Sequence, residues 1–246
     1  MKIRLFAVFI FVINSMQAQV LIHAHNDYEK PEPLFNAIRN KVFAVEADVY
    51  LRNGQLLVAH EAKQIDSSRT LSALYLDRLD SMFKVNNGYA TNDKSYKPIL
   101  VVDIKAEGTR ALDVLTTLIN RHPVVFNPKK SPGAIYILVS GDRGPVSEWK
   151  NYPSTIRFDG RPSETYDKPT LAKVVTISES YAKYFKNKTL DTASLKDMIA
   201  EAHKQKKLVR IWGSPDFSSG WIQFKQIGID IINTDKVTEC RQFFHR

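Results

Sequence analysis

The fold of this chain is decided by an apolar stretch that carries two acids, VFAVEADV at residues 42–49. A run of this kind predicts a buried β-strand. Side chains of a strand alternate between its two faces, so Glu46 and Asp48 point the same way. Because unpaired carboxylates are costly to bury, two acids on one face of a buried strand indicate a site that needs them.

Three more short apolar runs end in residues that can do chemistry: Val20–His25, Leu56–His60 and Ile99–Lys105. By the same alternation, Asp103 and Lys105 lie on one face. Four successive strands would thus deliver imidazoles, carboxylates and a cation to one rim, as an (α/β) barrel does at the carboxyl ends of its strands. Carboxylates that share a rim repel each other unless a cation lies between them. The pattern therefore predicts a bound divalent metal.

Strand-like and helix-like segments alternate through the rest of the chain, which favours parallel strands joined by helices. Amphipathic patterns predict helices at Leu34–Asn40, Leu71–Phe83, Thr109–Asn120 and Ala193–Gln205, and composition predicts loops at Val85–Tyr96 and Gly160–Thr170. Further strands are predicted at Ala134–Val139, Thr155–Phe158, Val174–Ile177, Leu208–Trp212 and Asp230–Asn233. These candidates exceed by one the strands of a single (β/α)₈ TIM barrel. Either Thr155–Phe158 or Val174–Ile177 is therefore expected outside the barrel.

The N-terminus has the pattern of a secretory signal peptide. Lys2 and Arg4 precede the apolar run Leu5–Ile13, and small and polar residues follow up to Ala18. This pattern predicts a signal peptide over residues 1–18 and one domain over residues 19–246, hence a secreted or periplasmic protein. The alternative is an N-terminal membrane anchor, but the apolar run is too short to span a bilayer. The single cysteine, Cys240, excludes an intrachain disulfide.

The chain is basic, with a formal net charge of +9. Removal of Lys2 and Arg4 with the signal peptide would leave +7, an excess that favours anionic partners. The basic residues are scattered along the chain and form no stripe on one helix, so nucleic acid is not an expected partner.

The residues at the four strand ends resemble those of the phospholipase-C-like phosphodiesterases, which include glycerophosphodiester phosphodiesterases and phosphoinositide phospholipases. His-Asn-Asp-Tyr at residues 25–28, followed by Glu-Ala-Asp-Val at residues 46–49, is most similar to the uncharacterised branch that contains the fungal altered-inheritance-of-mitochondria proteins. The resemblance covers Leu21–Lys105 well and Leu208–Asp235 more weakly. It implies a TIM barrel with phosphodiesterase activity.

The resemblance also implies a role for each residue. His25 and His60 match two catalytic histidines, and Lys105 matches a lysine that contacts phosphate. The implied metal ligands are Asn26, Glu46, Asp48 and Asp103. Glycerophosphodiesterases carry an arginine directly after the first histidine, where this chain has Asn26, and Glu32-Pro33 only loosely matches their Glu-Asn-Thr motif. The resemblance therefore does not identify the alcohol part of the substrate.

Three other residues are candidates for contact with the substrate. His23 lies two residues before His25, on the same strand face, and the strand alone would allow either histidine to be catalytic. The motif favours His25, with His23 as a supporting hydrogen-bond partner. Arg210 and Trp212 share a face of a later strand and could line a head-group pocket. The alternative for Trp212 is a rim residue that packs on a loop.

Together these observations predict a metal-dependent phosphoric diester hydrolase that uses Mg²⁺ or Ca²⁺. Its partner would be a small phosphodiester or a phospholipid head group, and the protein is expected to be a monomer with no membrane span. Two alternatives stay open. His23-x-His25 also opens the ligand set of amidohydrolase-like enzymes, but His122, His203 and His245 do not fall on the later strands that this class requires. The second alternative is a catalytically silent barrel that binds phosphorylated ligands.

Overall fold

The computed structural model describes residues 20–244, so the predicted signal peptide at residues 1–18 lies outside the described residues. Nine strands form one sheet: β1 (Leu21–Ala24), β2 (Ala44–Arg52), β3 (Gln55–Val58), β4 (Ile99–Ile104), β5 (Ile137–Gly141), β6 (Ile156–Gly160), β7 (Val174–Ser180), β10 (Leu208–Trp212) and β11 (Ile231–Thr234). A separate two-stranded hairpin consists of β8 (Phe185–Lys186) and β9 (Thr189–Leu190).

Eight parallel strands close into a barrel. The order β1-β11-β10-β7-β6-β5-β4-β2 returns to its start because β2 also pairs with β1. The first and last strands meet in register, with His23 opposite Asn233 and Ala24 opposite Thr234. This arrangement confirms the predicted single (β/α)₈ barrel.

The predicted choice of the strand outside the barrel was wrong. Both candidates belong to the barrel: β6 contains the predicted Thr155–Phe158 except for Thr155, and β7 contains Val174–Ile177. The additional strand is β3. β3 runs antiparallel to β2 as a hairpin, with Val49 opposite Val58 and Arg52 opposite Gln55. The connection is Asn53-Gly54, and both residues have positive φ angles, 49° and 75°. An Asn-Gly pair between two apolar runs favours this tight hairpin turn.

Helices flank the barrel at α1 (Phe35–Arg39), α2 (Asp77–Val85), α3 (Gly108–Asn120), α4 (Pro123–Phe126), α5 (Lys168–Leu171), α6 (Tyr181–Tyr184), α7 (Thr192–Lys204), α8 (Ser218–Ile227) and α9 (Val237–Phe244). A π-helical stretch at Ser72–Leu76 leads directly into α2, which agrees with the helix predicted at Leu71–Phe83. In α3 the buried residues follow helical spacing, as in Ala111, Leu115 and Ile119. The apolar faces of such helices pack on the outside of the barrel and form the main core.

The interior of the barrel changes character along its axis. At the amino-terminal end, a small apolar cluster fills the barrel: Ala44, Ile99, Val101 and Leu138. Two residues further along β2 and β4, the same face carries Glu46 and Asp103, and Asp48 follows. Strand alternation therefore places polar groups above an apolar floor, at the carboxyl ends of the strands where barrel enzymes carry their sites.

Within residues 20–244, no helix is long and apolar enough to cross a membrane.

Candidate active site

His25 lies at the seam between the first and last barrel strands. It directly follows β1, and its backbone nitrogen donates to the carbonyl of Thr234 at 3.0 Å. Its Nδ1 lies 2.8 Å from Oδ1 of Asp235, the residue after β11. Burial opposes protonation of His25, but the hydrogen bond to Asp235 and the negative charge of Glu46 outweigh it and raise the pKa of the imidazole. This bond orients the ring so that Nε2 is left for chemistry.

Asn26 and Tyr28 occupy a tight turn after His25. Asn26 has a left-handed backbone (φ 48°), which asparagine tolerates better than most residues. The hydroxyl of Tyr28 lies 2.9 Å from Asn26 Oδ1, 2.8 Å from Asp48 Oδ2 and 3.1 Å from His60 Nδ1. Asp27 secures the turn by accepting hydrogen bonds from the Leu34 backbone nitrogen and from a second tyrosine. Tyr28 therefore connects three of the predicted site residues.

Asp48 and Asp103 lie opposite each other on the neighbouring strands β2 and β4. The Lys105 ammonium lies between them, 2.7 Å from Asp48 Oδ2 and 3.0 Å from Asp103 Oδ1. Burial would lower the pKa of Lys105, but the two carboxylates outweigh it and raise that pKa. Burial and the charge of Glu46 raise the pKa of Asp48 to about 6.

His60 reaches the site from the hairpin and not from a barrel strand. The Ala59 backbone nitrogen donates to the Asp48 carbonyl at 3.2 Å. This hydrogen bond holds the end of β3 beside Asp48, at the mouth of the barrel. The Nδ1 atom of His60 then lies 3.3 Å from Asp48 Oδ2. Its side chain is 45% exposed, compared with 29% for His25. The expectation that four barrel strands supply the site is thus wrong for His60, although its position at the mouth agrees with the prediction.

A second polar layer lies below the mouth, inside the barrel. His23 Nε2 donates to Glu46 Oε2 at 2.5 Å, and Arg210 donates to Glu46 at 3.2 Å and to Asp159 at 3.2 Å. Asp159 on β6 also accepts hydrogen bonds from Thr176 and Ser178. Although burial opposes ionisation, the charges of two arginines and these hydroxyl groups lower the pKa of Asp159 to about 2. Burial lowers the pKa of His23 to about 4, so this imidazole is neutral.

A cavity of about 320 Å³ connects the two layers to the surface, and its lining residues are His25, Glu46, His60, Asp103, Lys105, Ser140, Gly141, Arg161, Arg210 and Trp212. Gly141 has a φ of 71°, and a Cβ there would lie 2.2 Å from the Ile104 carbonyl oxygen, so glycine is required at this rim position. A larger cavity of about 540 Å³ lies near the amino-terminal ends of β1 and β2, and no predicted site residue lines it.

The structure therefore brings both predicted catalytic histidines, Lys105, Asp48 and Asp103 to one mouth, and Glu46 reaches the same cavity from the layer below. Of the predicted substrate contacts, Trp212 is 41% exposed at the rim. His23 and Arg210 are almost fully buried in the layer below, where they bind Glu46. Arg210 still lines the cavity, and the roles of all three stay predictions.

Sequence reasoning missed three residues: Tyr28, Asp235 and Arg161. Arg161 lines the cavity and donates to Asp159 at 2.9 Å. Asp235 could have been found, since closure of a barrel places the end of its last strand beside the end of its first. Tyr28 had a weaker signal, its place in the His-Asn-Asp-Tyr motif. Nothing in the sequence marks Arg161, which follows β6 in a loop without a recognisable pattern.

The mouth has the donor chemistry of a site for a hard cation. Carboxylate and amide oxygens come from Asn26, Glu46, Asp48 and Asp103, and Ca²⁺ and Mg²⁺ prefer such ligands. Within residues 20–244, Asp48 Oδ1 is the buried side-chain atom that lacks a hydrogen-bond partner. Among those residues, no three histidines, cysteines or acids converge as a cluster that could hold a metal. The Lys105 ammonium lies between two of the acids, Asp48 and Asp103. The residues fit a cation in donor type, and Asp48 Oδ1 is a buried oxygen among them without a hydrogen-bond partner.

Comparison with known families agrees with the motif. A family model described as the AIM6-like phosphodiesterase domain matches residues 13–141, which is more than half of the chain. The chain belongs to this family of phosphodiesterase domains. Relatives include the altered inheritance of mitochondria protein 6 of Eremothecium gossypii, 25% identical over 90% of this chain and 69% of the relative. The homologue from Arthroderma benhamiae is 24% identical over 91% of this chain and 83% of the relative.

Solved structures agree on the fold. A glycerophosphodiester phosphodiesterase from Parabacteroides distasonis superposes with a TM-score of 0.57 at 14% identity, covering 92% of this chain and 97% of that chain. A Ca²⁺-dependent phosphatidylinositol-specific phospholipase C from Streptomyces antibioticus gives 0.57 at 9% identity, with 92% and 95% coverage. An Oleispira antarctica phosphodiesterase in complex with its product sn-glycerol-3-phosphate gives 0.56 at 14% identity, with 93% and 97% coverage. These likenesses establish the phospholipase-C-like barrel fold.

Proposed function

We propose that this chain is a secreted, metal-dependent phosphoric diester hydrolase. The observation that carries the proposal is that His25 and His60 line one cavity with Lys105, and each imidazole has a carboxylate on its Nδ1 side. Two oriented imidazoles in one cavity with a lysine suit the cleavage of a phosphodiester, which needs one group to take a proton and another to give one. Secretion is proposed from the pattern of residues 1–18 alone.

The two histidines take different parts. Because His25 donates its Nδ1 proton to Asp235, its Nε2 presents a lone pair to the cavity and acts as the general base. It removes the proton from the attacking hydroxyl group, which belongs to water or to the substrate itself. The Nδ1 atom of His60 contacts Asp48 and Tyr28, and its Nε2 protonates the departing alkoxide. The His60 side chain is more exposed than that of His25, as suits contact with a leaving group. Each such proton transfer contributes on the order of 10²–10⁴-fold to the rate.

The remaining residues neutralise charge. The Lys105 ammonium is held at the cavity wall by two carboxylates, and it supplies a fixed positive charge for a nonbridging phosphate oxygen. Asn26, Glu46, Asp48 and Asp103 would hold Mg²⁺ or Ca²⁺. When bound, the cation would add charge stabilisation at the phosphate oxygens. Tyr28 keeps Asn26, Asp48 and His60 at fixed distances from one another.

Hydrolysis of bis(p-nitrophenyl) phosphate tests this function. We expect turnover that EDTA abolishes and that Mg²⁺ or Ca²⁺ restores, and we expect His25→Ala and His60→Ala each to reduce it by on the order of 10²-fold or more. His203→Ala is the matched control, because this histidine also pairs with an aspartate (Asp230, 2.8 Å) but lies outside the cavity. Turnover that survives both cavity variants would refute the proposal. Turnover that EDTA does not reduce would refute the metal dependence but not the roles of the two histidines.

A further inference from the structure

Two loops that follow the neighbouring strands β7 and β10 form one sector of the barrel mouth. The first contains α6 and the β8–β9 hairpin, and the second runs from Trp212 to Phe217. The strands are in register, with Trp212 opposite Ser180, so both loops leave the sheet at the same level. They therefore stand beside the opening of the cavity that Trp212 lines.

This sector exposes aromatic side chains to solvent. Within residues 20–244, the exposed large apolar residues are Val85, Phe185, Trp212, Phe217 and Ile222. Three of these five belong to the two loops: Phe185 (41%), Trp212 (41%) and Phe217 (54%). Scattered single exposed apolar residues are ordinary, but several beside the mouth of a cavity indicate an interaction surface.

The exposed aromatic residues are backed by packed ones. The Phe185 ring stacks on Tyr181 with ring centroids 5.1 Å apart. Tyr181 in turn meets Phe224 of α8 edge-on at 5.9 Å. Phe185 is therefore held in its exposed position by the body of the protein, at little further cost in conformational entropy when it binds a partner.

The tip of the β8–β9 hairpin is cationic. Lys186 and Lys188 are exposed and flank Asn187, and the tight turn uses positive φ angles at Asn187 and Lys188, 50° and 63°. In the described part of the chain, no carboxylate forms an ion pair with either ammonium, whereas Lys183 at the base pairs with Glu179. Lys186 interacts with Asp191 through its charge but forms no ion pair with it. Both ammonium groups therefore remain able to bind an external anion.

We propose that these five residues, Phe185, Lys186, Lys188, Trp212 and Phe217, form a docking rim that binds the surface of an anionic phospholipid bilayer. Aromatic side chains favour the boundary between water and hydrocarbon, and lysines favour anionic head groups. The proposal rests on the proposed function and names its substrate class, which is a phosphodiester head group within a membrane. Docking on this rim would turn the cavity mouth toward the lipid.

A bilayer suits this rim better than a protein partner does. Phe185 and Phe217 are exposed on loops and line neither of the two cavities described above, and exposed aromatic residues of this kind can insert between head groups without a complementary partner surface. The charge agrees as well, because the hairpin tip is positive and an anionic membrane surface attracts such a tip over about one Debye length.

Vesicle binding tests the rim separately from catalysis. Trp149 and Trp221 are buried, so the fluorescence of the third tryptophan, Trp212, reports the environment of the rim. We expect a blue shift and co-sedimentation with vesicles of phosphatidylcholine and phosphatidylglycerol, and much weaker binding to phosphatidylcholine alone. Addition of salt should weaken the binding to the anionic vesicles.

Two double variants locate the binding surface. Phe185→Ser with Phe217→Ser, and Lys186→Glu with Lys188→Glu, should each weaken binding to anionic vesicles about tenfold or more. Matched controls are Val85→Ser, and Lys129→Glu with Lys130→Glu, which are exposed and precede β4 and β5 at the opposite end of the barrel. All four proteins should hydrolyse bis(p-nitrophenyl) phosphate at the wild-type rate, since none of these residues lines the cavity.

The outcomes distinguish this proposal from the proposed function. Hydrolysis of the soluble diester without vesicle binding would overturn the docking rim alone, and the exposed aromatic residues would then suit a protein partner. Vesicle binding without hydrolysis, lost in the two rim variants, would support the docking rim and overturn the catalytic proposal. Binding that both rim variants retain would overturn the docking rim even if the vesicles are bound tightly.

Discussion

The barrel interior contains two polar layers that use the same residue types for different purposes. In the inner layer, His23, Glu46, Asp159 and Arg210 are almost fully buried. In the mouth layer, two residues further along the strands, His25 and Lys105 keep part of their surface in contact with the cavity. His23 and His25 lie on one face of one strand, yet burial lowers the pKa of the first, while Asp235 and Glu46 raise that of the second.

The two layers differ in burial and in how many of their hydrogen-bonding groups are already paired. Arg210 binds Glu46, Asp159, Ser178 and Asn233 at once, so its hydrogen-bonding capacity is largely used. Lys105 binds two carboxylates and still faces the cavity. Within the inner layer, His23 and Arg210 hold the Glu46 carboxylate in place. The mouth layer keeps donors and acceptors available for a ligand.

The largest expected effect is on stability and concerns Arg210. Arg210→Met would leave Glu46 and Asp159 buried without their shared cation, and such a loss costs about 3–5 kcal/mol in the free energy of unfolding. Urea unfolding followed by circular dichroism measures it. Arg39→Met, which removes an exposed arginine paired with Glu32, should cost less than about 1 kcal/mol. Equal costs for the two variants would contradict the distinction between the layers.

Lys105→Met should act on turnover. Removal of a fixed positive charge aimed at a reacting oxygen costs on the order of 10²–10³-fold in kcat. The change in unfolding free energy should be smaller than for Arg210→Met, because Lys105 is partly exposed. The hydrolysis rate of bis(p-nitrophenyl) phosphate checks this, with Lys41→Met, whose lysine pairs with Asp93 on the surface, as the control. Full turnover in Lys105→Met would show that Lys105 has a structural role, like the residues of the inner layer.

Asp235→Asn should reduce kcat by on the order of 10–100-fold, because it weakens the bond that orients His25. The effect should appear in kcat and in its pH profile, with the apparent pKa of the general base lowered toward that of an unpaired imidazole. Asp230→Asn is the matched control: it disturbs the His203–Asp230 pair and should leave kcat unchanged. An unchanged pH profile in Asp235→Asn would show that His25 is not the titrating base.

The last effect is confined to acid pH and is a change in stability that originates in His23. The unfolded imidazole gains a proton near pH 6.5, whereas the folded one resists protonation down to about pH 4. Its contribution to stability is therefore complete above pH 6.5 and is lost as the pH falls toward 4. His23→Gln keeps a donor for Glu46 but cannot titrate, so its urea midpoint should fall less over this range than that of the wild type. Parallel declines would contradict the assignment of His23 as neutral.

The sequence was sufficient to predict the barrel and most residues of the mouth layer, with Tyr28 and Asp235 as exceptions. Short apolar runs that end in acids and histidines identify parallel strands, and alternation places Glu46 with Asp48 and Asp103 with Lys105 on shared faces. These are local patterns, so the sequence alone can reveal them.

The contacts between distant segments could not be predicted in the same way. The pairing of His25 with Asp235 joins residues 210 positions apart and depends on barrel closure. The burial of Arg210 depends on its partners from four other strands, whereas the sequence shows only that it shares a face with Trp212. The route of His60 depends on the Asn53-Gly54 turn, which makes Leu56–His60 part of a hairpin and not of a parallel barrel strand.

That turn has a mechanical consequence. His60 and Asp48 belong to one continuous hairpin, so their separation is independent of whether the first and last strands remain joined. His25, by contrast, owes its orientation to a residue supplied by the far end of the chain. Separation of β1 from β11 would release His25 from Asp235 while His60 stayed beside Asp48. We therefore expect activity to be lost at a lower temperature than that of global unfolding.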